Sequence, residues 1–148
     1  MEKIVLKNVS KIFGPHPERG LELLDKDGHS RGTFRSGESL RVALAYAMTQ
    51  PTEDVAFGVS LTKADGTHVF GTNTHLDGLT LEGLPETGRV ELVLERQDLT
   101  NGLYHLDAAV HSRAGEPYDY WTKAASFTVR SDLEYDGIYR PPHTWKRP

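Results

Sequence analysis

The side chains most able to bind a ligand or take part in chemistry lie along one short segment, Tyr104–His111, where polar and apolar residues alternate. His105, Asp107 and His111 fall at even spacings, so a β-strand would place all three on one face. Imidazoles and carboxylates bind metals, but His105 and His111 are roughly 20 Å apart at about 3.3 Å per residue, too far for one ion. The segment therefore predicts a polar binding face, with no metal and no cofactor.

Sequence motifs for catalysis and for nucleotide binding are missing. The sequence has no Gly-x-Ser-x-Gly elbow, no HExxH pair and no GxxxxGK[ST] phosphate loop. It contains no cysteine, which excludes thiol catalysis, thiolate metal sites and disulfides. Glu91 and Glu95 share one face of a strand, as solvated acids commonly do. We therefore predict that the chain is not an enzyme.

The elements that would position these residues are predicted from a hydrophobic period of two. Large apolar residues alternate with small or polar ones in five segments: 40–46, 55–61, 90–95, 104–111 and 125–129. Weaker strand candidates are 21–24, 67–70 and 136–139. A short helix-like piece is expected at 85–88, or a turn at 97–100. Asp-Gly and Asn-Gly pairs supply tight turns between the segments. The pattern predicts an all-β sandwich or barrel.

Two of the predicted strands carry unusually small residues on their outward face, where Lys, Glu and Thr are usual. These residues are Ala43, Ala45 and Ala47 on one strand and Ala56, Gly58 and Ser60 on the other. If they share a sheet with the outward polar residues, they form a shallow trough that combines hydroxyl partners with aromatic rings, as sugars require. Those polar residues are His105, Asp107, His111, Tyr118 and Tyr120. The alternative is that another element packs on the bare face.

Length and charge limit the remaining classes of function. The 148 residues fit one domain, and a net charge of −4 from mixed signs gives no basic surface for nucleic acid. No apolar run approaches the roughly 20 residues of a membrane helix, and the lack of cysteine fits a reducing cytoplasm. The tail, 140–148, is too rich in proline for a central strand. Because an exposed Trp145 would be costly, we expect the tail to pack on this chain or on a neighbour.

The middle of the chain, from about Leu21 to Val129, carries a set of recognisable segments, of which Gly71-Thr72-Asn73-Thr74 is the most specific. The others are Leu23-Leu24-Asp25-x-Asp27-Gly28, Phe34-Arg35-Ser36-Gly37-Glu38-x-Leu40-Arg41-Val42, Phe57-Gly58-Val59, Asp65-Gly66-x-x-Val69-Phe70, Leu99-x-x-Gly102-x-Tyr104-x-Leu106 and Phe127-Thr128-Val129. Together they resemble the Wzt-type C-terminal domain. In that family the domain is appended to the ATPase of ABC exporters for O-antigen and related polysaccharides.

The resemblance implies an immunoglobulin-like antiparallel β-sandwich of about eight or nine strands. It also implies a dimer, sometimes with exchanged C-terminal strands, and one sheet face that recognises the terminal, modified sugars of the polymer. The candidate sugar-binding residues on that face are His105, Asp107, Tyr118, Tyr120, Arg41 and Ser60. Trp121 has the opposite parity to the two tyrosines and is assigned to the core.

The start of the chain departs from this pattern. Residues 4–14 resemble the opening strand of an ABC ATPase, and residues 16–24 are similar to the start of the glycine-betaine importer ATPase. The nucleotide-binding loops that should follow are missing, so the segment is either a remnant of a longer arrangement or a chance likeness. We therefore predict an N-terminal extension at 1–20 without a nucleotide site, followed at 21–148 by the sandwich and its tail.

With this resemblance, the sequence predicts a non-catalytic module that binds a surface polysaccharide of the O-antigen type for export by an ABC transporter. The expected partners are the glycan, the ATPase and permease subunits, and a second copy in a homodimer; nucleic acid and membrane insertion are not expected. The expected location is the cytoplasm, peripheral to the inner membrane through the transporter. The alternative is a structural or dimerisation sandwich that mediates protein contacts within a transporter or glycan-biosynthesis complex.

Overall fold

The computed structural model describes residues 4–6, 20–134 and 136–148, in which every regular element is a strand. The nine strands of this part are β1 (Ile4–Leu6), β2 (Leu21–Leu24), β3 (Thr33–Arg35), β4 (Leu40–Met48), β5 (Ala56–Lys63), β6 (His68–Asn73), β7 (Thr87–Leu94), β8 (Gly102–His111) and β9 (Pro117–Arg130). They form two sheets, so the predicted all-β sandwich is confirmed. Over the described ranges, no helix is long and apolar enough to cross a membrane.

Strand β4 is the centre of the four-stranded sheet. It pairs antiparallel with β7 over its whole length, from Leu40↔Leu94 to Ala47↔Thr87. Its other edge is shared by β2, opposite residues 41–44, and β1, opposite residues 46–48. Two short strands therefore lie end to end where one long strand would fit.

Strand β1 lies within the N-terminal extension predicted at 1–20, and it packs in the sandwich. Ile4 and Leu6 are buried in the sandwich core, because β1 pairs with β4. The backbone N–H of Leu6 also donates to Asp119 Oδ2 at 2.8 Å, which ties this strand to β9 of the other sheet. These residues belong to the sandwich and not to a separate extension. The rest of the ATPase-like segments before Gly20 lies outside the described residues.

The five-stranded sheet runs in the order β3-β9-β8-β5-β6. Its pairs are antiparallel except β3, which runs parallel to the end of β9 from Thr33↔Thr128 to Arg35↔Arg130. Strand β3 was not predicted, because three residues are too few to show a period. Strand β9 is longer than the predicted 125–129. Its first part was missed because bulges interrupt the alternation there.

The core lies between the two sheets and is built from the alternation that the sequence predicts. Its largest fully buried side chains include Tyr46, Tyr104, Phe34 and Phe127. Tyr104 stacks on Phe127 with ring centroids 5.5 Å apart, and Phe34 meets Phe127 edge-on at 5.9 Å. Each such side chain contributes roughly 1.5–3 kcal/mol through burial. The predicted inner residues of β7 (Val90, Leu92 and Leu94) are half-buried and pack against this core at its edge.

Two irregularities in β9 shape the surface described below. The register with β8 shifts between Val110 and His111 and again between Leu106 and Ala108. At the second shift Lys123 adopts a φ of 50°, the left-handed conformation that L-residues seldom take. Its N–H donates to Asp107 Oδ1 at 2.8 Å. The extra residues of β9 are therefore held by a side chain of β8.

Four of the weaker predictions concern short segments of local structure. Strand predictions at 21–24 and 67–70 match β2 and the first half of β6. The helix-like piece at 85–88 was wrong, since β7 begins at Thr87. The candidate at 136–139 is reduced to an isolated bridge between Tyr139 and Leu99.

The C-terminal tail leaves the sandwich after this bridge. Arg140 N donates to the carbonyl of Asp98 at 2.8 Å, and residues 141–148 are exposed thereafter. Trp145 is 94% exposed, so the expectation that the tail packs on this chain is wrong. The other expectation, packing on a neighbour, stays a prediction.

Candidate functional site

The outer face of the five-stranded sheet carries a shallow hollow of about 160 Å³. Its residues come from the neighbouring strands β5, β6, β8 and β9, whose hydrogen-bonded pairing brings together positions distant in sequence. The lining residues are Gly58, Val59, Ser60, Thr72, Asn73, Asp107, Ala108, Ala109, His111 and Tyr120. The hollow is therefore a property of the sheet surface and not of a single loop.

The register explains the shape of the hollow. One row of directly opposed residues runs Tyr120, Ala109, Gly58, Asn73 across the four strands. The two small residues form the floor, and the large ones stand at either end. Three inter-strand spacings separate β9 from β6, about 14 Å in total, which is wide enough for a sugar ring to lie across the floor.

Two glycines on this face have an imidazole ring as a neighbour. A β-carbon at Gly58 would lie 3.7 Å from His111 Nε2 and 3.5 Å from the β-carbon of Asn73. A β-carbon at Gly71, in the next row, would lie 3.4 Å from the ring of His68. These are ordinary van der Waals distances, so packing does not require glycine at either position, and the small residues mainly leave the surface concave.

Hydrogen bonds fix the orientation of the histidines on this face. His111 Nδ1 is 2.6 Å from the carbonyl of Ser112, which can only accept, so Nδ1 donates this hydrogen bond. His105 Nδ1 shares a 2.7 Å hydrogen bond with Ser126 Oγ, and His68 Nδ1 a 3.4 Å one with Ser60 Oγ. The face offers acceptors and donors in fixed directions.

Tyr120 stands at one end of the hollow with 58% of its surface exposed. Its hydroxyl donates to Asp107 Oδ2 at 2.9 Å. This hydrogen bond to a carboxylate, with a smaller effect of partial burial, raises the pKa of Tyr120 above its usual value. Tyr120 therefore presents a neutral aromatic ring beside the hollow at physiological pH.

Of the six predicted site residues, the structure brings three together in the hollow: Ser60, Asp107 and Tyr120. His105 lies on the same outer face, one row beyond Asp107 and opposite Thr62 and Ser126. It borders the hollow without lining it.

Tyr118 does not face outward as predicted. It is 6% exposed, belongs to the core cluster, and its hydroxyl donates to the carbonyl of Asp54 at 2.8 Å. The cause is the register shift beside His111, which gives β9 one extra residue and reverses parity between Tyr118 and Tyr120. Trp121, opposite the buried Ala108, packs against the core as predicted.

Arg41 and the alanines of β4 lie on the other sheet. Arg41 donates from Nη2 to the carbonyl of Lys26 at 3.0 Å, far from the hollow's strands. The small residues therefore do not form the single trough that was predicted. Gly58 and Ser60 line the hollow, while the small residues of β4 lie on the other sheet. Strand alternation reveals which face a residue takes but not which sheet it joins.

The alanines on the outer face of β4 are explained by packing against their neighbours in the sheet. Ala43 and Ala45 are opposite Glu22, Glu91 and Arg89 on the flanking strands. Arg89 Nη2 lies 3.7 Å from a Glu22 carboxylate oxygen and 3.5 Å from one of Glu91. Both alanines are buried beneath these charged side chains. Small residues here make room for an ion-pair network.

Several residues of the hollow were missed by sequence reasoning. Asn73 and Thr72 lie in the most specific of the recognisable segments, yet were not assigned to the site. Ala109 has no chemical signal of its own and forms part of the floor only through its pairing with Gly58 and Tyr120. Their contribution depends on register, which one sequence does not reveal.

One group with metal-ligand spacing occurs among the described residues, Asp25, Asp27 and His29 in the β2–β3 loop. Asp25 Oδ1 already accepts from the backbone N–H groups of Asp27 and His29, both at 2.9 Å. Its Oδ2 lies 3.8 Å from an Arg31 nitrogen. These contacts explain the cluster as a turn, and they lower the pKa of Asp25, chiefly through the His29 N–H.

Comparison with known proteins places residues 19–141 in a match to the Wzt C-terminal domain model. A relative, the O-antigen export system ATP-binding protein RfbB of Myxococcus xanthus, is 33% identical over 132 residues. That alignment covers 89% of this chain but 29% of the relative, so the chain spans less than a third of the longer protein.

Solved structures share the fold. The crystal structure of the C-terminal domain of wzt superposes with a TM-score of 0.75 at 14% identity, covering 86% of this chain and 80% of that one. A structure of Bacteroides uniformis beta-glucuronidase 2, covalently bound to cyclophellitol-6-carboxylate aziridine, gives a TM-score of 0.50 at 13% identity. The match covers 80% of this chain and 14% of the beta-glucuronidase chain. At these identities the likeness concerns the sandwich architecture alone.

Proposed function

Because the chain belongs to the Wzt C-terminal domain family, we propose that it is a non-catalytic carbohydrate-binding module of a polysaccharide ABC exporter. The observation that carries this proposal is the hollow on the five-stranded sheet, where an exposed aromatic ring stands over a floor of small residues. Aromatic faces pack against the C–H patches of sugar rings, and fixed polar groups bind the hydroxyls.

The charge of the hollow favours a neutral glycan. Asp107 is the single carboxylate among its lining residues, and that lining includes no lysine or arginine. Among the lining residues, a uronate or phosphate would find no lysine or arginine to pair with and would lie near the negative charge of Asp107. A sugar with hydroxyls or small neutral substituents meets neither cost.

The same inventory supports a role without catalysis. Glycoside hydrolysis commonly requires two carboxyl groups facing the same bond, about 5–10 Å apart. Among the residues lining the hollow, Asp107 has no second carboxylate beside it. Its two oxygens already accept hydrogen bonds from Tyr120 and Lys123. The hollow is better suited to holding a sugar than to cleaving one.

The context of the proposed function comes from the relatives. The Myxococcus xanthus relative is named as an ATP-binding protein of an O-antigen export system. We propose that this chain acts beside the corresponding ATPase and permease subunits, at the cytoplasmic side of the inner membrane, and binds the polymer before export. Shallow sites usually bind single sugars near the millimolar end, and pairing of two copies would raise the apparent affinity.

The test is an NMR titration of the chain with a neutral O-antigen-type polysaccharide fragment. We expect chemical-shift changes on β5, β6, β8 and β9, and Tyr120→Ala should weaken binding roughly tenfold. Val93→Ala is the matched control, because Val93 is also exposed but lies on the outer face of the other sheet. Shifts confined to that other face would contradict the proposal.

A second candidate function is assembly, favoured by the almost fully exposed Trp145. A tryptophan left in water is costly, and it would be covered if the tail packed on a second copy of the chain in a homodimer. Light scattering of the chain without residues 141–148 tests this. A dimer that becomes a monomer on truncation supports the candidate, and an oligomeric state that truncation does not change contradicts it. If sugar binding survives truncation, the two functions are separate.

A further inference from the structure

The side chain of Asp107 connects two neighbouring features of β9. Its Oδ2 accepts from the hydroxyl of Tyr120 at 2.9 Å, and its Oδ1 accepts from the N–H of Lys123 at 2.8 Å. The extra residues of β9 lie between Trp121 and Ala125, since Ala125 is opposite Leu106 while Trp121 is opposite Ala108. One carboxylate thus fastens both the bulge and the ring that stands at the end of the hollow.

We propose that Asp107 is a positioning residue that holds the Tyr120 ring as a fixed platform for a neutral sugar, and acts on the sugar through that ring. This inference rests on the proposed function. It also changes the role predicted for Asp107, which was a direct contact with the glycan.

The surroundings of Tyr120 show why an anchor is needed. Its neighbour across the strand pair is Ala109, followed by Gly58, so the residues directly opposite Tyr120 offer no large side chain for the ring to pack on. The backbone of β9 fixes the ring at one end, and Asp107 fixes the hydroxyl at the other. A tyrosine held at both ends loses its rotamer freedom before the ligand arrives.

Preorganisation of this kind improves binding by removing an ordering cost. Immobilising one side chain on binding weakens affinity by roughly three- to tenfold. Releasing Tyr120 from Asp107 should therefore weaken sugar binding by that factor while the ring itself remains.

Two conservative variants separate positioning from contact. Tyr120→Phe removes the hydroxyl and keeps both the ring and the bond from Lys123 to Asp107. Asp107→Asn keeps an oxygen that accepts the Lys123 N–H, so the bulge is retained, but weakens the anchor for Tyr120. Tyr139→Phe, at an exposed tyrosine outside the hollow, is the matched control.

The experiment is a double-mutant cycle with a neutral O-antigen-type oligosaccharide, read by NMR titration. We expect each single variant to weaken binding about three- to tenfold. The double variant should bind no more weakly than the single variant with the larger loss, because both substitutions remove the same anchor. A titration of the Tyr120 ring signals should also show its pKa fall toward the usual value in Asp107→Asn. Tyr139→Phe should bind as the unmodified chain does.

The outcomes that overturn the inference are distinct. Losses that multiply in the double variant mean that Asp107 and the hydroxyl contact the sugar independently. Unchanged affinity in Tyr120→Phe means that the anchor is irrelevant. If the unmodified chain binds no neutral glycan while the Tyr120 pKa still responds to Asp107→Asn, the anchor exists but the proposed function fails, and the platform role fails with it.

Discussion

Gly58 forms the floor of the hollow, where any side chain would project toward the ligand. Its β-carbon position makes only ordinary contacts, at 3.5 Å or more, so the backbone there accepts other residues. Glycine is also a poor choice for strand stability, since it costs roughly 0.5–1 kcal/mol relative to alanine. Its presence in β5 is therefore better explained by the surface it creates than by packing.

The Gly58→Leu substitution should fill the hollow without unfolding the sandwich. We expect sugar binding to weaken at least about tenfold and the free energy of unfolding to change by less than about 1 kcal/mol. NMR titration and urea denaturation measure the two effects. Unchanged binding in the leucine variant would show that the sugar binds elsewhere.

Gly88 is required for a different reason, because it lies against the ring of the buried Tyr46. A β-carbon there would lie 2.6 Å from the Tyr46 hydroxyl oxygen and 2.9 Å from the ring carbon bearing it. Tyr46 cannot move freely, since it is buried in the core and bonded to the carbonyl of Pro85 at 3.2 Å.

We therefore expect Gly88→Ala to lower the free energy of unfolding by roughly 1–3 kcal/mol, as overpacking typically does. Urea denaturation measures the change. Gly32→Ala is the control, because a β-carbon at Gly32 meets nothing within 4 Å. Equal stability of the two variants would show that Tyr46 relaxes without cost.

At the scale of elements, regular strands were predictable and irregular ones were not. The alternation in β4, β5 and β8 identified their core faces, because each strand runs without interruption for eight residues or more. In β9 two register shifts break the period, and the prediction for Tyr118 was wrong for that reason. The residue that a bulge inserts can be of many types, so the sequence does not reveal where the bulge lies.

The bulge at Lys123 can be tested through its backbone. Glycine adopts a φ of 50° without the steric cost that an L-residue incurs, about 1 kcal/mol. Lys123→Gly should therefore leave the free energy of unfolding unchanged or raise it by up to about 1 kcal/mol. Thr122→Gly, at the preceding strand position, should lower it by roughly 0.5–1 kcal/mol. Thermal or urea unfolding compares them, and similar losses in both would refute the strained conformation.

At the scale of the whole molecule, the division into two sheets was the step that sequence could not supply. The prediction joined the alanines of β4 to Gly58 and Ser60, whereas the two sets lie on different sheets. Pairing between strands far apart in sequence, such as β1 with β4 or β3 with β9, decides this partition. Ser60, Asp107 and Tyr120 were predicted, and they lie together because their strands are adjacent in the sheet. Ala109 was missed, because only the register places it in the floor.

The stability of the whole molecule should decline in alkali. Burial raises the pKa of Tyr46 and Tyr104, and the bond to Asp107 raises that of Tyr120. A raised folded-state pKa means that the unfolded chain loses its tyrosine protons first. The stabilisation is therefore complete below the unfolded value of about 10 and is lost as pH rises through the folded values.

Urea unfolding between pH 8 and about 11 measures this decline. We expect the free energy of unfolding to fall above about pH 10, with a smaller fall in Tyr120→Phe, which has one such tyrosine fewer. A free energy that rises over the same interval would contradict the sign. The comparison uses constant ionic strength, so that screening of surface charges does not vary.

The strict pleat of β5 and β8 has a consequence for how such a module can diversify. Every residue that faces the hollow from these strands, such as Ser60 and Ala109, is flanked in sequence by residues that face the core. Under the proposed function, positions that contact the sugar therefore alternate along these strands with positions that build the core. A library randomised at Ser60, Asn73 and Ala109 should yield changed sugar preferences at nearly constant stability, so that one scaffold can follow a polymer whose chemistry drifts.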